Sequence, residues 1–104
     1  MSRVAFKMKL MPGCAAEYKR RHDEIWPQLV ELLKKAGMKD YSIFLEEDTN
    51  ELFAVFTAED TDAITKLAGH QLMQDWWKCM SDISVSNADN SPVITPLKEV
   101  FYLP

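Results

Sequence analysis

Residues 52–56, Leu-Phe-Ala-Val-Phe, constrain this chain more than any other stretch. Five apolar residues bounded by polar neighbours are too short for a helix and read as a strand over 52–57. Side chains alternate along a strand, so Leu52, Ala54 and Phe56 leave one face and Phe53 and Val55 the other. Both faces of the sheet that holds it must therefore be covered.

The rest of the pattern shows what can cover them. Residues 3–10 alternate, with Val4, Phe6, Met8 and Leu10 on one face, and Met11-Pro12-Gly13 ends that strand. A helical pattern runs over 14–36, with Gly37 placed to cap its C-terminus. Pro27 cannot donate the amide hydrogen a continuous helix would use, so the helix should break between Asp23 and Trp26, Pro27 opening a second segment. A strand at 41–46, with Tyr41, Ile43 and Leu45 on one face, and the polar connection 47–50 lead into 52–57. Asp60 or Thr61 caps the next helix, Gly69 interrupts it, and a further helix spans 71–83. Residues 84–96 form an ordered loop or arm, and 97–103 a last strand.

The order β-α-β-β-α-β is that of the split βαβ, ferredoxin-like α+β unit, with helices on one face of an antiparallel sheet. Four strands and one helical layer leave the second face uncovered. Phe6 or Phe44, Phe53 or Phe56, and Phe101 or Tyr102 cannot all lie beneath the helices. A second copy packed sheet to sheet would cover the remainder, which predicts a homodimer through the sheet face, a dimeric α/β barrel.

At 104 residues this is the size of one domain, 1–104, with a core that needs no staple. A net charge of −4 and no basic run longer than three residues argue against nucleic acid and against polybasic docking to a membrane. The alternating N-terminus is unlike a secretory signal, and no apolar run is long enough to span a bilayer. Cys14 and Cys79 are expected to be free thiols, which places the chain in the cytoplasm. No phosphate loop, nucleophile elbow, metal-ligand spacing or cofactor fingerprint is present, so the expectation is no cofactor and no metal.

What is left for chemistry is His, Tyr, Trp and a carboxylate, a set suited to proton transfer or binding. Tyr18, His22 and Trp26 recur every four residues, so on one helix they would line a single face that continues through Leu29 and Leu33. An imidazole in an apolar stripe at a helix end feels two opposed effects. The helix terminus favours the cation by roughly 0.3–1 kcal/mol, whereas burial favours the neutral ring. Either way it is the natural general acid or base. His70 reads as a cap or surface residue. Trp76 and Trp77 project about 100° apart on a helix, so they are helix core or, alternatively, one stacks on a sugar ring while the other meets it edgewise. Tyr41 could point into a cavity under the broken helix. Asn87, Asp89 and Asn90 are turn formers first, with Asp89 a weaker candidate to orient His22 or a substrate hydroxyl.

Tyr-Lys-Arg-Arg-His-Asp-Glu-Ile-Trp-Pro at 18–27, Trp76-Trp77-Lys78, the 87–92 segment Asn-Ala-Asp-Asn-Ser-Pro and the ending Glu-Val-Phe-Tyr-Leu-Pro resemble the L-rhamnose mutarotase family over essentially the whole chain. The resemblance implies a dimeric ferredoxin-like barrel that interconverts the α and β anomers of L-rhamnose without a cofactor. It implies His22 as proton donor and Tyr18, Tyr41, Trp76 and Trp77 as substrate contacts, leaving the base open among a tyrosine, a carboxylate and a water. Two other readings share the architecture: a small monooxygenase or haem-degrading protein, and a ligand-binding dimer without catalysis.

Overall fold

A computed structural model describes residues 2–104. The elements are β1 (Ser2–Lys9), α1 (Ala15–Asp23), α2 (Pro27–Lys35), β2 (Met38–Glu46), β3 (Glu51–Ala58), α3 (Thr61–Lys66), a 3₁₀ turn (Leu67–Gly69), α4 (Gln71–Met80) and β4 (Thr95–Leu97). The strands form one sheet in the order β2-β3-β1-β4, every neighbouring pair antiparallel. This is the ferredoxin-like α+β arrangement, with the apolar strand β3 in an interior position.

Residues directly opposite in an antiparallel ladder share a face. Val4, Phe6 and Met8 of β1 oppose Phe56, Ala54 and Leu52, while Ile43 and Leu45 of β2 oppose Ala54 and Leu52. This face lies under the helices, and Leu52, Ala54, Phe56 and Ala58 are buried there. The other face carries Ala5 against Val55 and Leu97, and Phe44 against Phe53. Phe44 is 64% exposed on it. The expectation that the phenylalanines divide between two faces holds: Phe6 and Phe56 meet edge to face under the helices, 6.4 Å apart.

The helical stretch is broken where Pro27 requires it. Trp26 is extended (φ −61°, ψ 128°), as the residue before a proline must be, and its carbonyl accepts the amide hydrogens of Leu29 and Val30 at 3.0 and 3.1 Å. Trp26 is therefore outside α1, so the expected three-residue stack is reduced to the pair Tyr18 and His22. Trp26 instead meets Trp76 edge to face at 5.2 Å.

Gly37 ends α2 with φ +90°, its amide on the Lys34 carbonyl at 3.0 Å. A Cβ there would lie 3.3 Å from Cβ of Glu59. Gly37→Ala is expected to cost about 1–2 kcal/mol, the strain of a left-handed residue, read as a lowered midpoint of urea unfolding at unchanged slope. Asp60 caps α3 by accepting from the Asp62 amide at 2.9 Å, and His70 caps α4 by accepting from the Leu72 amide at 3.2 Å. Both are as the sequence suggested.

Two boundaries differ from expectation. β2 begins at Met38 rather than 41 because a bulge lies between Lys39 and Ser42, with Asp40 at φ +52°. Polar residues hid this extension. The last strand is only Thr95–Leu97, not 97–103. Among the described residues, 98–104 pair with no strand, and the Arg3–Glu99 ion pair at 3.5 Å and Arg3 over the Tyr102 ring at 4.6 Å hold them. Val100, Phe101 and Leu103 are 78–88% exposed. A strand-like pattern without a partner ladder stays unpaired. α4 likewise stops at Met80, and Ser81 to Ile83 form a turn that continues to Ser84, bridged to Leu10.

Candidate active site

The helical layer has its own core, in which Leu29, Trp76, Met80 and Ile83 are buried and Tyr18, Trp26 and Trp77 pack against them. Between that core and the apolar face of the sheet is a cavity of about 1190 Å³. Its wall is Phe6, Met8 and Phe56 from the sheet and Met73 from α4, and residues of the 84–94 arm, including Asn87 and Asp89, also line it. The arm is fixed by Val85 N–H to the Lys9 carbonyl at 2.9 Å and Asn87 N–H to the Ser91 carbonyl at 2.7 Å.

Tyr18, His22, Tyr41, Trp76 and Trp77 all line this cavity, so the five residues singled out in the sequence are brought together. One helical turn separates Tyr18 from His22, and their rings stack at 4.3 Å and 28°. His22 meets Trp76 edge to face at 5.4 Å and 87°. Trp76, 7% exposed, is thus wedged between His22 and Trp26. Trp77 is only half-buried, the two indoles diverging as neighbours on a helix must.

Tyr41 continues the alternation of Ile43 and Leu45 and so leaves β2 on the face under the helices, on the Ser42 side of the bulge. Asp40 and Tyr41 together oppose Phe56 in the ladder, and the Tyr41 ring packs edge-on against Phe56 at 5.6 Å. The bulge shifts the phase of Met38 and Lys39 rather than that of Tyr41, whose side chain, 41% exposed, lines the cavity.

His22 Nδ1 is 3.0 Å from the Tyr18 carbonyl. A carbonyl can only accept, so Nδ1 carries the hydrogen and Nε2 is the nitrogen left for a substrate. Burial lowers the His22 pKa below its usual 6.5, outweighing the Tyr18 hydrogen bond and the nearby Asp23 carboxylate, which act the other way. Of these three influences burial is the largest, and it favours the neutral ring. Burial also raises both phenols: Tyr41 is pushed up to about 12, and Tyr18 higher still, with Tyr41 a smaller contributor. Both stay protonated O–H donors at neutral pH.

Asp89 does not orient His22, whose Nδ1 is already engaged. Its Oδ1 accepts from the Ser91 amide at 3.0 Å and from the Ser91 hydroxyl, which hold its carboxyl below the ordinary value. Among the described residues no three His, Cys, Asp or Glu side chains converge as metal ligands would, and no helix is long and apolar enough to cross a membrane.

Sequence reading missed one part of the frame. Arg21 reaches from α1 to the far end of α4, donating from Nε to Glu17 at 2.6 Å, from Nη1 to the Cys79 carbonyl at 2.7 Å, and from Nη1 and Nη2 to the two oxygens of Asp82 at 2.8 and 3.1 Å. A charged residue beside His22 carried no signal of a partner some sixty positions away.

A family model described as L-rhamnose mutarotase matches residues 3–103. The chain belongs to the L-rhamnose mutarotase family. Curated L-rhamnose mutarotases from Brucella anthropi and Sinorhizobium fredii are 53% and 52% identical to it, over 98% and 99% of this chain and 96% and 99% of theirs. The crystal structure of an L-rhamnose mutarotase from Formosa agariphila superposes with a TM-score of 0.94 at 47% identity, covering all of both chains. An antibiotic biosynthesis monooxygenase shares only the fold, with a TM-score of 0.52 at 12% identity over 96% of this chain and 99% of its own.

Proposed function

We propose that this protein is a cofactor-independent isomerase that interconverts the α and β anomers of L-rhamnose, with His22 as the proton carrier. The observation that carries this reading is His22 on the cavity wall, packed on Tyr18 and Trp76 with Nδ1 held by the Tyr18 carbonyl so that Nε2 is left for a substrate, in a chain of the L-rhamnose mutarotase family. Mutarotation protonates the ring oxygen while the anomeric hydroxyl loses its proton. The aldehyde then turns its other face and the ring recloses.

Because burial favours the neutral ring, the first role assigned to it reverses the donor role that the resemblance implies: Nε2 takes the proton of the anomeric hydroxyl, and the Tyr18 carbonyl on Nδ1–H stabilises the cation formed. On reclosure the same ring acts as donor. One of the two phenols, Tyr18 or Tyr41, protonated at rest, gives its proton to the ring oxygen as the ring opens and takes it back from the C5 hydroxyl on reclosure. Trp76 and Trp77 wall the sugar's apolar side and its C5 methyl group. The test is NMR saturation transfer between the two anomeric protons of L-rhamnose with catalytic amounts of protein. Exchange no faster than in buffer would end the proposal.

The barrel is completed by a second copy on the open face of the sheet, where Ala5, Phe44, Phe53, Val55 and Leu97 form an apolar strip flanked by charges of both signs, Lys7 and Glu51 among them. Phe44→Asp puts a charge into that strip and is expected to halve the mass measured by light scattering. A wild-type mass of 12.0 kDa would refute the dimer. Work inside the cytoplasm agrees with two free thiols, Cys14 and Cys79.

A further inference from the structure

We propose that Arg21 is a positioning residue of the site: by strapping α1 to the end of α4 it sets the distance and angle at which His22 meets Trp76. This rests on the reading of His22 as the proton carrier. No residue of α1 is fully buried, and its packing on the helical core runs through the part-buried Tyr18 and the His22–Trp76 edge contact. Trp76, by contrast, is buried in the helical core. The relation between them is set by something that spans the two elements, and Arg21 does so beside His22 in sequence and one turn beyond Trp76, at Cys79.

The guanidinium spends its planar fork on Asp82, both oxygens engaged, and its Nε on Glu17 of its own helix. A bidentate pair of this kind fixes orientation as well as separation. The arginine side chain is 18% exposed, far less than the other guanidinium of α1, Arg20, at 59%. Arg20 pairs with Glu17 and Glu24, within and just after its own helix, and among the described residues it makes no hydrogen bond or ion pair to α4, although it borders a shallow crevice beside Trp76 and Cys79. The two neighbouring arginines thus provide a matched comparison: similar charge and similar ion pairs, with only one crossing to the other wall of the site. Arg21 projects about 100° around the helix from His22, so it steadies the helix without touching the sugar.

Misplacing a catalytic group by about 1 Å can cost up to 10²-fold in rate. Arg21→Met is therefore expected to lower kcat roughly tenfold with KM within about twofold of wild type. Adding Asp82→Asn to it should cause little further loss, because the two act as one unit. Arg20→Met should keep wild-type kcat. The imidazole proton shifts of His22, set in part by the Trp76 ring current, should move in Arg21→Met toward those of an exposed histidine and stay put in Arg20→Met. Unchanged kcat in Arg21→Met, or an equal loss in Arg20→Met, overturns the proposal. If Arg21→Met does not fold, Asp82→Asn alone, which leaves the arginine in place, is judged by the same two readouts. Failure of the underlying reading shows separately, as wild-type exchange in His22→Ala. Moved His22 shifts with unchanged kcat, in an enzyme that His22→Ala inactivates, count against the strap itself.

Discussion

His22→Ala slows anomer exchange by 10²–10⁴-fold, the contribution of a single positioned acid or base, with the affinity for L-rhamnose little changed. The variant removes the ring that stacks on Tyr18 at 4.3 Å, yet it places a better helix former in α1, so the fold is retained. The pH profile carries the mechanistic content. Burial makes the neutral ring the favoured form, with a pKa below the usual 6.5. A resting acceptor must be neutral, so kcat/KM should be level at neutral pH and fall as the pH drops through that lowered value. The two phenols, with Tyr41 at about 12, stay protonated across the same range and impose no limb near neutrality. A profile that instead falls as pH rises through the His22 value would make the resting ring an imidazolium donor. Wild-type exchange in His22→Ala would remove the ring from the mechanism.

The fold was legible because its strongest signals are local. The two-faced apolar run at 52–56 demanded an interior strand, Pro27 demanded a break, and Gly37 a left-handed cap; β3, Trp26 and φ +90° are their structural counterparts. Tyr18 and His22 were also readable, since a spacing of four on a helix guarantees neighbours. What stayed hidden depends on distant partners. Tyr41 was readable by alternation with Ile43 and Leu45, but the bulge at Asp40 that carries β2 on to Met38 was not, because alternation alone cannot reveal an extra residue in one strand. The Arg21–Asp82 pair joins positions with no shared periodicity. The final residues alternate as a strand does, but a strand forms only where a ladder awaits it, and the single chain ends its sheet at Leu97. The cavity was invisible for a further reason. Phe6, Met8, Phe56 and Met73 have the same apolar character whether they fill a core or line a hollow, and only the separation of the two layers tells which.

That separation makes Trp76 the most consequential apolar residue of the site. It supports His22 on one side and Trp26 on the other, and it shares the helical core with Leu29, Met80 and Ile83. Trp76→Ala should therefore cost about 3–5 kcal/mol of stability, the range for emptying a buried aromatic site, against a typical total of 5–15 kcal/mol. Urea unfolding should show a lower midpoint at unchanged slope. Activity should fall even where the variant is still folded, because the wall against which the imidazole rests is gone. Trp76→Phe separates the two effects: it keeps a ring in the helical core and so most of the stability, but it alters the edge contact with His22 and should still lose kcat. Trp77→Ala makes the contrast from the next position. Its indole is only half-buried and faces the cavity, so its loss should be felt mainly as a raised KM, with a smaller change in midpoint. A Trp76→Ala protein within about 1 kcal/mol of wild type would mean that the helical layer closes over the gap, and that His22 is held by α1 and its arginine strap alone.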